Sequence, residues 1–189
     1  MKILGVIPSR MESKRLPGKP LLDINGKSMI QRVYESSINC KNLDDLIIAT
    51  PNDEIVSHVK EFNGNVLKTT DKPINGTERV SEAVEKINKK YDFIINIQGD
   101  EPFIKTEQIN DLIKICVKPN EICTLIKNEA YSKELTQDSV MKVVKNINNE
   151  ALYFSRSLIP SGNPDQYFRH ICISVSYTHL RAHETACSL

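Results

Sequence analysis

The sequence predicts an α/β fold with a mixed, mainly parallel sheet covered by helices on both faces. Short, uninterrupted apolar runs alternate along the chain with segments whose apolar residues recur at helical spacing. Continuous apolar strands of this kind are typical of parallel sheets that are buried on both faces. The length of 189 residues is sufficient for a domain with its own core and without disulfides. Ligands of such sheets bind at the carboxyl ends of the strands, so functional loops should follow strands.

Each predicted element follows from its local pattern. The predicted strands are apolar runs bounded by polar or turn residues, at 3–7, 46–49, 65–68, 93–97, 122–126, 140–144 and 152–154. The predicted helices carry apolar residues at i, i+3, i+4 and i+7 and begin at Ser28, Asp53, Thr77 and Thr106. We expect Ser28 and Thr77 to be N-caps. Gln31 follows Ser28 by three residues, which is the spacing of a capping box.

Composition and charge exclude several classes of protein. The chain is 40% hydrophobic and 26% charged, as in ordinary soluble globular proteins and unlike disordered ones. Lys and Arg number 25 against 24 Asp and Glu, so no broad basic face is expected for nucleic acid or an anionic membrane. No apolar run reaches the length of a membrane span. The five cysteines lack CxxC spacing, which favours a reducing, cytoplasmic setting over a disulfide framework.

The composition changes near residue 174. Residues 1–174 are rich in Ile, Lys and Asn, whereas residues 175–189 contain none of the three. His179 and His183 have i,i+4 spacing there, but the HExxH pattern of zinc proteases is missing. The segment resembles a translated sequencing adapter, so we expect residues 175–189 to be a non-native tail and interpret function from residues 1–174.

The loop at residues 8–20 follows the first predicted strand and has a local charge of +3, from four cations and one anion. Arg side chains offer bidentate hydrogen bonds to phosphate oxygens, and Lys offers a point charge. The loop lacks the GxxxxGK[ST] pattern of a P-loop. Its position at a strand end favours polyphosphate binding over the alternative of a solvated charged loop.

Two further motifs follow predicted strands. In the first, Gly76, Thr77 and Arg79 open a helix, where free backbone N–H groups and the helix dipole favour an anion or a base carbonyl. The alternative is a plain cap with a helical ion pair. In the second, Asp100 follows the most apolar run and is placed to hold Mg²⁺, while Gln98 can read a base edge or a sugar hydroxyl. The alternative for Asp100 is an Asx-turn or N-cap role.

Five segments together resemble one family. They are IPSRMESKRLPGKPL at residues 7–21, GTER at 76–79, QGDEP at 98–102, KVV with ALYFSRSLIP at 142–160, and RHI at 169–171. They resemble the nucleotidyltransferases that activate sugar acids with CTP, and more narrowly the cytidylyltransferases of 3-deoxy-D-manno-octulosonate (KDO). The resemblance implies a three-layer Rossmann-like sheet of the nucleotide-diphospho-sugar transferase type. It also implies that CTP and KDO are converted to CMP-KDO and pyrophosphate, for lipopolysaccharide synthesis.

The resemblance implies roles for individual residues. It implies that Mg²⁺ binds Asp100 and that catalysis depends on Arg10, Arg15, Lys19 and Asp100. The implied nucleotide-binding residues are Pro8, Ser9, Arg10, Arg15, Lys19, Gly76, Thr77, Arg79 and Gln98. The implied sugar-binding residues are Gln98, Arg156 and His170. For Arg156 a core carboxylate is an alternative partner, and for His170 the alternative is a structural or solvated histidine. The resemblance also implies that the full-length enzyme is a homodimer.

The resemblance ends near residue 173, which makes residues 1–174 an incomplete cytidylyltransferase domain. A second metal-binding aspartate, further sugar-binding residues and much of the dimer interface would belong to the absent segment. We therefore expect the 189-residue chain by itself to be unstable or inactive. Two other functions stay open at this point: an N-acylneuraminate or related sugar-acid cytidylyltransferase, and a non-catalytic nucleotide-binding fragment.

Overall fold

A computed structural model describes residues 1–12, 16–115, 122–162 and 164–177. The described strands are β1 (Ile3–Pro8), β2 (Asp23–Ile24), β3 (Lys27–Ser28), β4 (Asp45–Thr50), β5 (Val66–Lys68), β6 (Phe93–Ile97), β7 (Cys123–Glu129), β8 (Lys142–Lys145), β9 (Ala151–Ser155) and β10 (Tyr167–Tyr177). The described helices are α1 (Met29–Ile38), α2 (Asp53–Glu61), α3 (Gly76–Lys86) and α4 (Thr106–Ile115). The chain divides into two compact units, one of residues 1–123 with the segment from 173 onward, and one of residues 124–172.

The first unit contains the mixed, mainly parallel sheet that the sequence predicts. Its strand order is β5-β4-β1-β6-β10. Strand β1 pairs in parallel with both β4 and β6, and β4 pairs in parallel with β5. Residues 173–177 of β10 run antiparallel to β6, which makes the sheet mixed. The predicted fold class is confirmed.

Alternation along β1 buries both faces of this sheet. Leu4 and Val6 belong to a buried cluster with Val80 and Ala83 of α3. Ile7 faces the other side, where its side chain and that of Ile30 of α1 both lie within 3.4 Å of the position that a Cβ on Gly99 would occupy. Helices therefore cover both faces, as expected of a three-layer fold. The helices bury the apolar stripes that their i, i+3, i+4 spacing predicts.

Of the two N-caps that the sequence predicts, one is confirmed and the other is wrong. Ser28 Oγ accepts the backbone N–H of Gln31 at 3.2 Å, so Ser28 is the predicted N-cap of α1. The prediction that Thr77 caps the third helix is wrong, because Asn75 is the N-cap and α3 begins at Gly76. Asn75 Oδ1 accepts the N–H of Glu78 at 2.9 Å, and the Glu78 carboxylate accepts the Asn75 amide at 2.9 Å. This reciprocal pair leaves Thr77 inside the first turn.

Two features were missed by the sequence analysis. The first is the hairpin of β2 and β3, whose turn residues Asn25 and Gly26 have φ of 51° and 80°, as in the favoured two-residue hairpins. The second is β10, in which Ile173 and Val175 are buried and alternate with more exposed residues. Residues 175–177 of the predicted tail continue this strand. Residues 178–189 lie outside the described residues, so the non-native tail stays a prediction.

The second unit has an antiparallel arrangement of its own. Strand β8 pairs with β9 and with residues 168–169 of β10, and β7 also pairs with β10. Its apolar cluster is small, with Leu135, Val140 and Tyr167 buried. Lys142 is fully buried, and its ammonium group donates to the backbone carbonyls of residues 137, 140 and 156. Burial lowers the pKa of Lys142, and the three carbonyl oxygens compensate the buried charge.

Two findings bear on membranes and disulfides. None of the helices in the described ranges has both the length and the apolar character needed to cross a membrane. Within the same ranges, Cys40, Cys123 and Cys172 form no disulfide.

Candidate active site

An open pocket of about 990 Å³ lies in the first unit, where β1 and β6 end and α3 begins. This is the edge at which ligands of parallel sheets bind. The residues that line it come from three sequence segments, 8–29, 75–79 and 98–100. They are Pro8, Ser9, Arg10, Glu12, Leu16, Pro17, Lys19, Pro20, Met29, Asn75, Gly76, Arg79, Gln98, Gly99 and Asp100. The three motifs that the sequence singled out thus meet at one site.

Most of the predicted site residues line this pocket. They are Pro8, Ser9, Arg10, Lys19, Gly76, Arg79, Gln98 and Asp100. Thr77, which lies in the first turn of α3, does not line it. Arg15 lies outside the described residues. Arg156 and His170 belong to the second unit. The roles of all these residues stay predictions.

Ser9 presents a buried hydroxyl group at the pocket. Its backbone N–H donates to the Ala49 carbonyl at 2.9 Å, which continues the β1–β4 pairing to the strand end. The residue is 7% exposed, and its buried Oγ has no hydrogen-bond partner in the described part of the chain. A buried hydroxyl without a partner is unfavourable. The Ser9 hydroxyl is therefore a group that a ligand in the pocket would satisfy.

Lys19 and Asp100 form an ion pair in the pocket. The distance from Lys19 Nζ to Asp100 Oδ2 is 2.7 Å, and both side chains are partly exposed. Gly18, with φ of 71°, turns the chain into the short helical turn that carries Lys19. Asp100 lies in the turn after β6, which packs closely on β1: a Cβ at Gly99 would lie 2.9 Å from the Pro8 carbonyl oxygen. The absence of a side chain at Gly99 therefore permits the approach that places Asp100.

Arg79 is 3% exposed, and its guanidinium group holds the loop that leads into α3. It donates to Thr69 Oγ1 at 2.5 Å, to the Thr70 carbonyl at 3.0 Å and to the Pro73 carbonyl at 3.4 Å. Burial, and secondly the charge of Arg10, lower its pKa. Sequence reasoning expected a donor aimed at the ligand. In the structure Arg79 lines the pocket and also fixes its wall.

Sequence reasoning missed Glu12, which lines the pocket, and Asn52, which does not line it but binds the loop that carries Glu12. Asn52 Oδ1 accepts the backbone N–H of Met11 at 3.0 Å, and Asn52 Nδ2 donates to Glu12 Oε1 at 3.0 Å. This Asn52 hydrogen bond is the largest cause that lowers the pKa of Glu12, and the charges of Arg10 and Arg79 add to it. One signal was available, because Asn52 follows β4 at the same edge of the sheet.

In the second unit, Arg156 and His170 contact groups of their own unit. Arg156 Nη1 donates to the Asp138 carbonyl at 2.5 Å. This described partner is a backbone oxygen and not the core carboxylate considered above. His170 Nε2 lies 2.7 Å from Thr124 Oγ1, and the ring packs edge-on against Phe154 with centroids 5.3 Å apart. Burial lowers the pKa of His170, so the neutral imidazole is favoured.

The donor set can be tested for Mg²⁺. No group of three or more His, Cys, Asp or Glu side chains in the described ranges could hold a metal ion by itself. Mg²⁺ at phosphate-transfer sites is commonly held by one or two carboxylates together with phosphate oxygens and water. Asp100 supplies one carboxylate beside cationic side chains, so the residues fit a Mg²⁺ ion that arrives with a polyphosphate.

Known proteins with the name cytidylyltransferase match this chain in sequence. A family model described as cytidylyltransferase matches residues 4–187. A relative from Parabacteroides distasonis named 3-deoxy-manno-octulosonate cytidylyltransferase is 45% identical over 95% of this chain and 73% of the relative. A relative from Cytophaga hutchinsonii with the same name is 45% identical over 85% of this chain and 64% of the relative.

Two solved structures share the fold of this chain. A CMP:2-keto-3-deoxy-manno-octonic acid synthetase complexed with CTP aligns with a TM-score of 0.83 and 36% identity, over 94% of this chain and 75% of that one. A 4-diphosphocytidyl-2C-methyl-D-erythritol synthase from Anaerococcus prevotii shares the fold at 11% identity, with a TM-score of 0.59 over 94% of this chain and 72% of that one. The motifs, the fold and these matches together lead to one conclusion. The chain belongs to the cytidylyltransferase family.

Proposed function

We propose that this chain provides the nucleotide-binding and metal-binding part of an enzyme that couples CTP and KDO to CMP-KDO and pyrophosphate. The observation that carries the proposal is the Lys19–Asp100 pair, 2.7 Å apart in a pocket that Arg10 also lines. Several cations around one carboxylate suit a triphosphate that brings a divalent cation. The relatives named for the KDO reaction support the choice of CTP and KDO.

The chain's own residues would bind and orient the reactants. Arg10 and Lys19 bind triphosphate oxygens, and Lys19 exchanges its contact with Asp100 for one with the nucleotide. Gln98 reads a base edge or a sugar hydroxyl at the same strand end. Mg²⁺ bound at Asp100 would neutralise charge that develops on the α-phosphate and on the leaving oxygen.

The reaction itself needs positioning and charge stabilisation more than a protein nucleophile. The anomeric hydroxyl of KDO attacks the α-phosphorus in line. A new oxygen–phosphorus bond forms, the bond to the β-phosphate oxygen breaks, and pyrophosphate leaves while the hydroxyl proton is lost to solvent. Neutral His170 and the cation of Arg156 are the proposed contacts to the sugar acid. A homodimer, a cytoplasmic location and a place in lipopolysaccharide synthesis belong to the same proposal.

Titration calorimetry of the 189-residue chain with CTP and Mg²⁺ tests the binding step. We expect saturable binding that Asp100→Asn weakens when Mg²⁺ is present and changes little without it. Asp111→Asn is the matched control, because Asp111 forms a comparable surface ion pair with Lys114 at 3.0 Å on α4. Both variants should unfold at nearly the wild-type temperature, since exposed ion pairs contribute about 0–1 kcal/mol. Absence of CTP binding by a wild-type chain that shows a cooperative unfolding transition would contradict the proposal.

Pyrophosphate release tests turnover and separates the alternatives. It should be measured in this chain and in the same chain continued with the C-terminal part of the Parabacteroides relative. Release with KDO but not with N-acetylneuraminate supports the proposed substrate, and the reverse preference would assign the chain to sialic acid activation. CTP binding without release in either protein would indicate a non-catalytic nucleotide-binding module. In the continued chain, Asp100→Asn should abolish release, whereas Asp111→Asn should leave it unchanged.

A further inference from the structure

Asn52 lies at the position where α2 is normally capped, but its side chain does not cap the helix. Asn is among the preferred N-cap residues because its side-chain oxygen accepts an N–H of the first turn. Here Asn52 has the extended backbone of an N-cap, with φ of −89° and ψ of 127°, and makes no such side-chain bond. Both polar atoms of its amide instead bind the loop that follows β1.

The hydrogen bond that Met11 donates to Asn52 completes the anchoring of the backbone around Arg10. On one side of Arg10, Ser9 N–H donates to the Ala49 carbonyl at 2.9 Å. On the other side, Met11 N–H donates to Asn52 Oδ1 at 3.0 Å. Arg10 therefore lies between two residues that are both tied to the carboxyl end of β4 or to the residues just after it.

The same arrangement connects the two cationic parts of the pocket. The Met11 carbonyl accepts the N–H of Gly18 at 3.0 Å, directly before Lys19. Asn52 itself is held, because its backbone N–H donates to Thr50 Oγ1 at 3.2 Å and Thr50 is fully buried. A displacement of Met11 would thus move both Arg10 and the turn that carries Lys19.

The second amide contact restrains an anion in a cationic pocket. Asn52 Nδ2 donates to Glu12 Oε1, and Glu12 lines the pocket with Arg10 and Arg79. Without the amide, the Glu12 carboxylate could turn toward Arg10, whose charge already acts on it. Such a contact would reduce the positive charge available to a polyphosphate.

We infer that Asn52 is a positioning residue of the nucleotide site: it holds the Arg10 loop in place for the phosphates of a nucleoside triphosphate and keeps Glu12 away from Arg10. The inference rests on the proposed function, since it concerns the same pocket and the same ligand class. Asn52 does not itself line the pocket, so its effect on binding passes through Met11 and Glu12.

The test compares Asn52→Ala with Asn39→Ala in the 189-residue chain. Asn39 is the matched control because it follows α1 and its side chain donates within the same segment, to the Glu35 carbonyl at 2.8 Å. Titration calorimetry with CTP and with inorganic triphosphate measures affinity, and urea unfolding measures stability. We expect Asn52→Ala to lower the affinity for both ligands about tenfold, which corresponds to the loss of one to two hydrogen bonds. Asn39→Ala should leave both affinities unchanged, and the two variants should have similar unfolding free energies.

A second variant keeps the inference testable if Asn52→Ala does not fold. Asn52→Asp retains an acceptor for Met11 N–H and can cap α2, but it loses the donor to Glu12 and adds a carboxylate beside it. It should fold and should also bind inorganic triphosphate more weakly than wild type. Wild-type affinity in the folded Asn52 variants would overturn the inference, as would a loss of stability with affinity unchanged. If the wild-type chain binds no CTP, the proposed function fails instead.

Discussion

The buried hydroxyl of Ser9 leads to a prediction in which stability and affinity change in opposite directions. Ser9 Oγ lies at the pocket, is shielded from solvent and has no partner in the described part of the chain. Ser9→Ala removes this polar atom and leaves the backbone hydrogen bond to Ala49 in place. The ligand-free protein should become more stable, and the protein should bind CTP less tightly.

The magnitudes follow from the hydroxyl's surroundings. A buried polar group without a partner costs about 1–3 kcal/mol, so its removal should raise the unfolding free energy by about 1 kcal/mol. In a chain of this size that corresponds to a rise in Tm of about 2–4 °C. If the ligand supplies the missing partner, the variant loses one hydrogen bond of about 0.5–1.5 kcal/mol. CTP affinity should then fall roughly two- to tenfold.

Urea unfolding and titration calorimetry with CTP provide the two measurements. Ser37→Ala is the matched control, because Ser37 is also buried but its hydroxyl donates to the Val33 carbonyl at 2.7 Å. It should lower stability by about 0.5–1.5 kcal/mol and leave CTP affinity unchanged. The reasoning about Ser9 is refuted if Ser9→Ala destabilises the chain as Ser37→Ala does, or if it binds CTP as tightly as wild type.

Two further predictions concern close packing and pH. Gly99→Ala should lower stability by about 1–3 kcal/mol and weaken CTP binding, because the new Cβ would lie 2.9 Å from the Pro8 carbonyl oxygen. Gly76→Ala, with contacts of 3.4 Å or more, should unfold at nearly the wild-type urea concentration, and equal effects of both changes would contradict the packing argument. The hydrogen bond from Lys89, and secondly that from Tyr91, lower the pKa of Asp45, so its stabilisation is present above about pH 3.9 and lost as the pH falls through the folded-state pKa. The difference in unfolding free energy between wild type and Asp45→Asn should therefore be largest at neutral pH and shrink as the pH falls through the folded-state pKa of Asp45, and a pH-independent difference would refute the assignment.

Local patterns predicted most of the fold because the responsible interactions are local or periodic. The apolar run at 93–97 is β6 with the same bounds, and Ser28 caps α1 as the capping-box spacing predicts. The N-cap of α3 was misplaced by two residues, because Asn75 and Thr77 are both acceptable caps in the sequence. The Glu78 side chain decides between them, since it lies three residues after Asn75 and bonds back to it.

The candidate site could be predicted as far as strand ends and charge define it. Arg10, Lys19, Gln98 and Asp100 were identified from motifs after strands, and they do line one pocket. The pairing of Lys19 with Asp100 could not be foreseen, because 81 residues separate the two and only the neighbouring positions of β1 and β6 bring them together. The role of Arg79 in holding the loop before α3 could not be foreseen either, because the hydrogen-bond partners of its guanidinium group depend on how the fold buries it.

By itself, the sequence determined the fold class, the family and the cationic character of the loop after β1, because hydrophobic periodicity and motif spacing are properties of neighbouring residues. The tertiary structure decided which groups are buried, which are satisfied and which meet across the sheet. Asn52 illustrates the difference: its residue type and position predict a helix cap, yet its amide binds Met11 and Glu12. The physical reason is that a polar side chain bonds to the partners that the fold brings within about 3 Å, and those partners can lie far away in sequence.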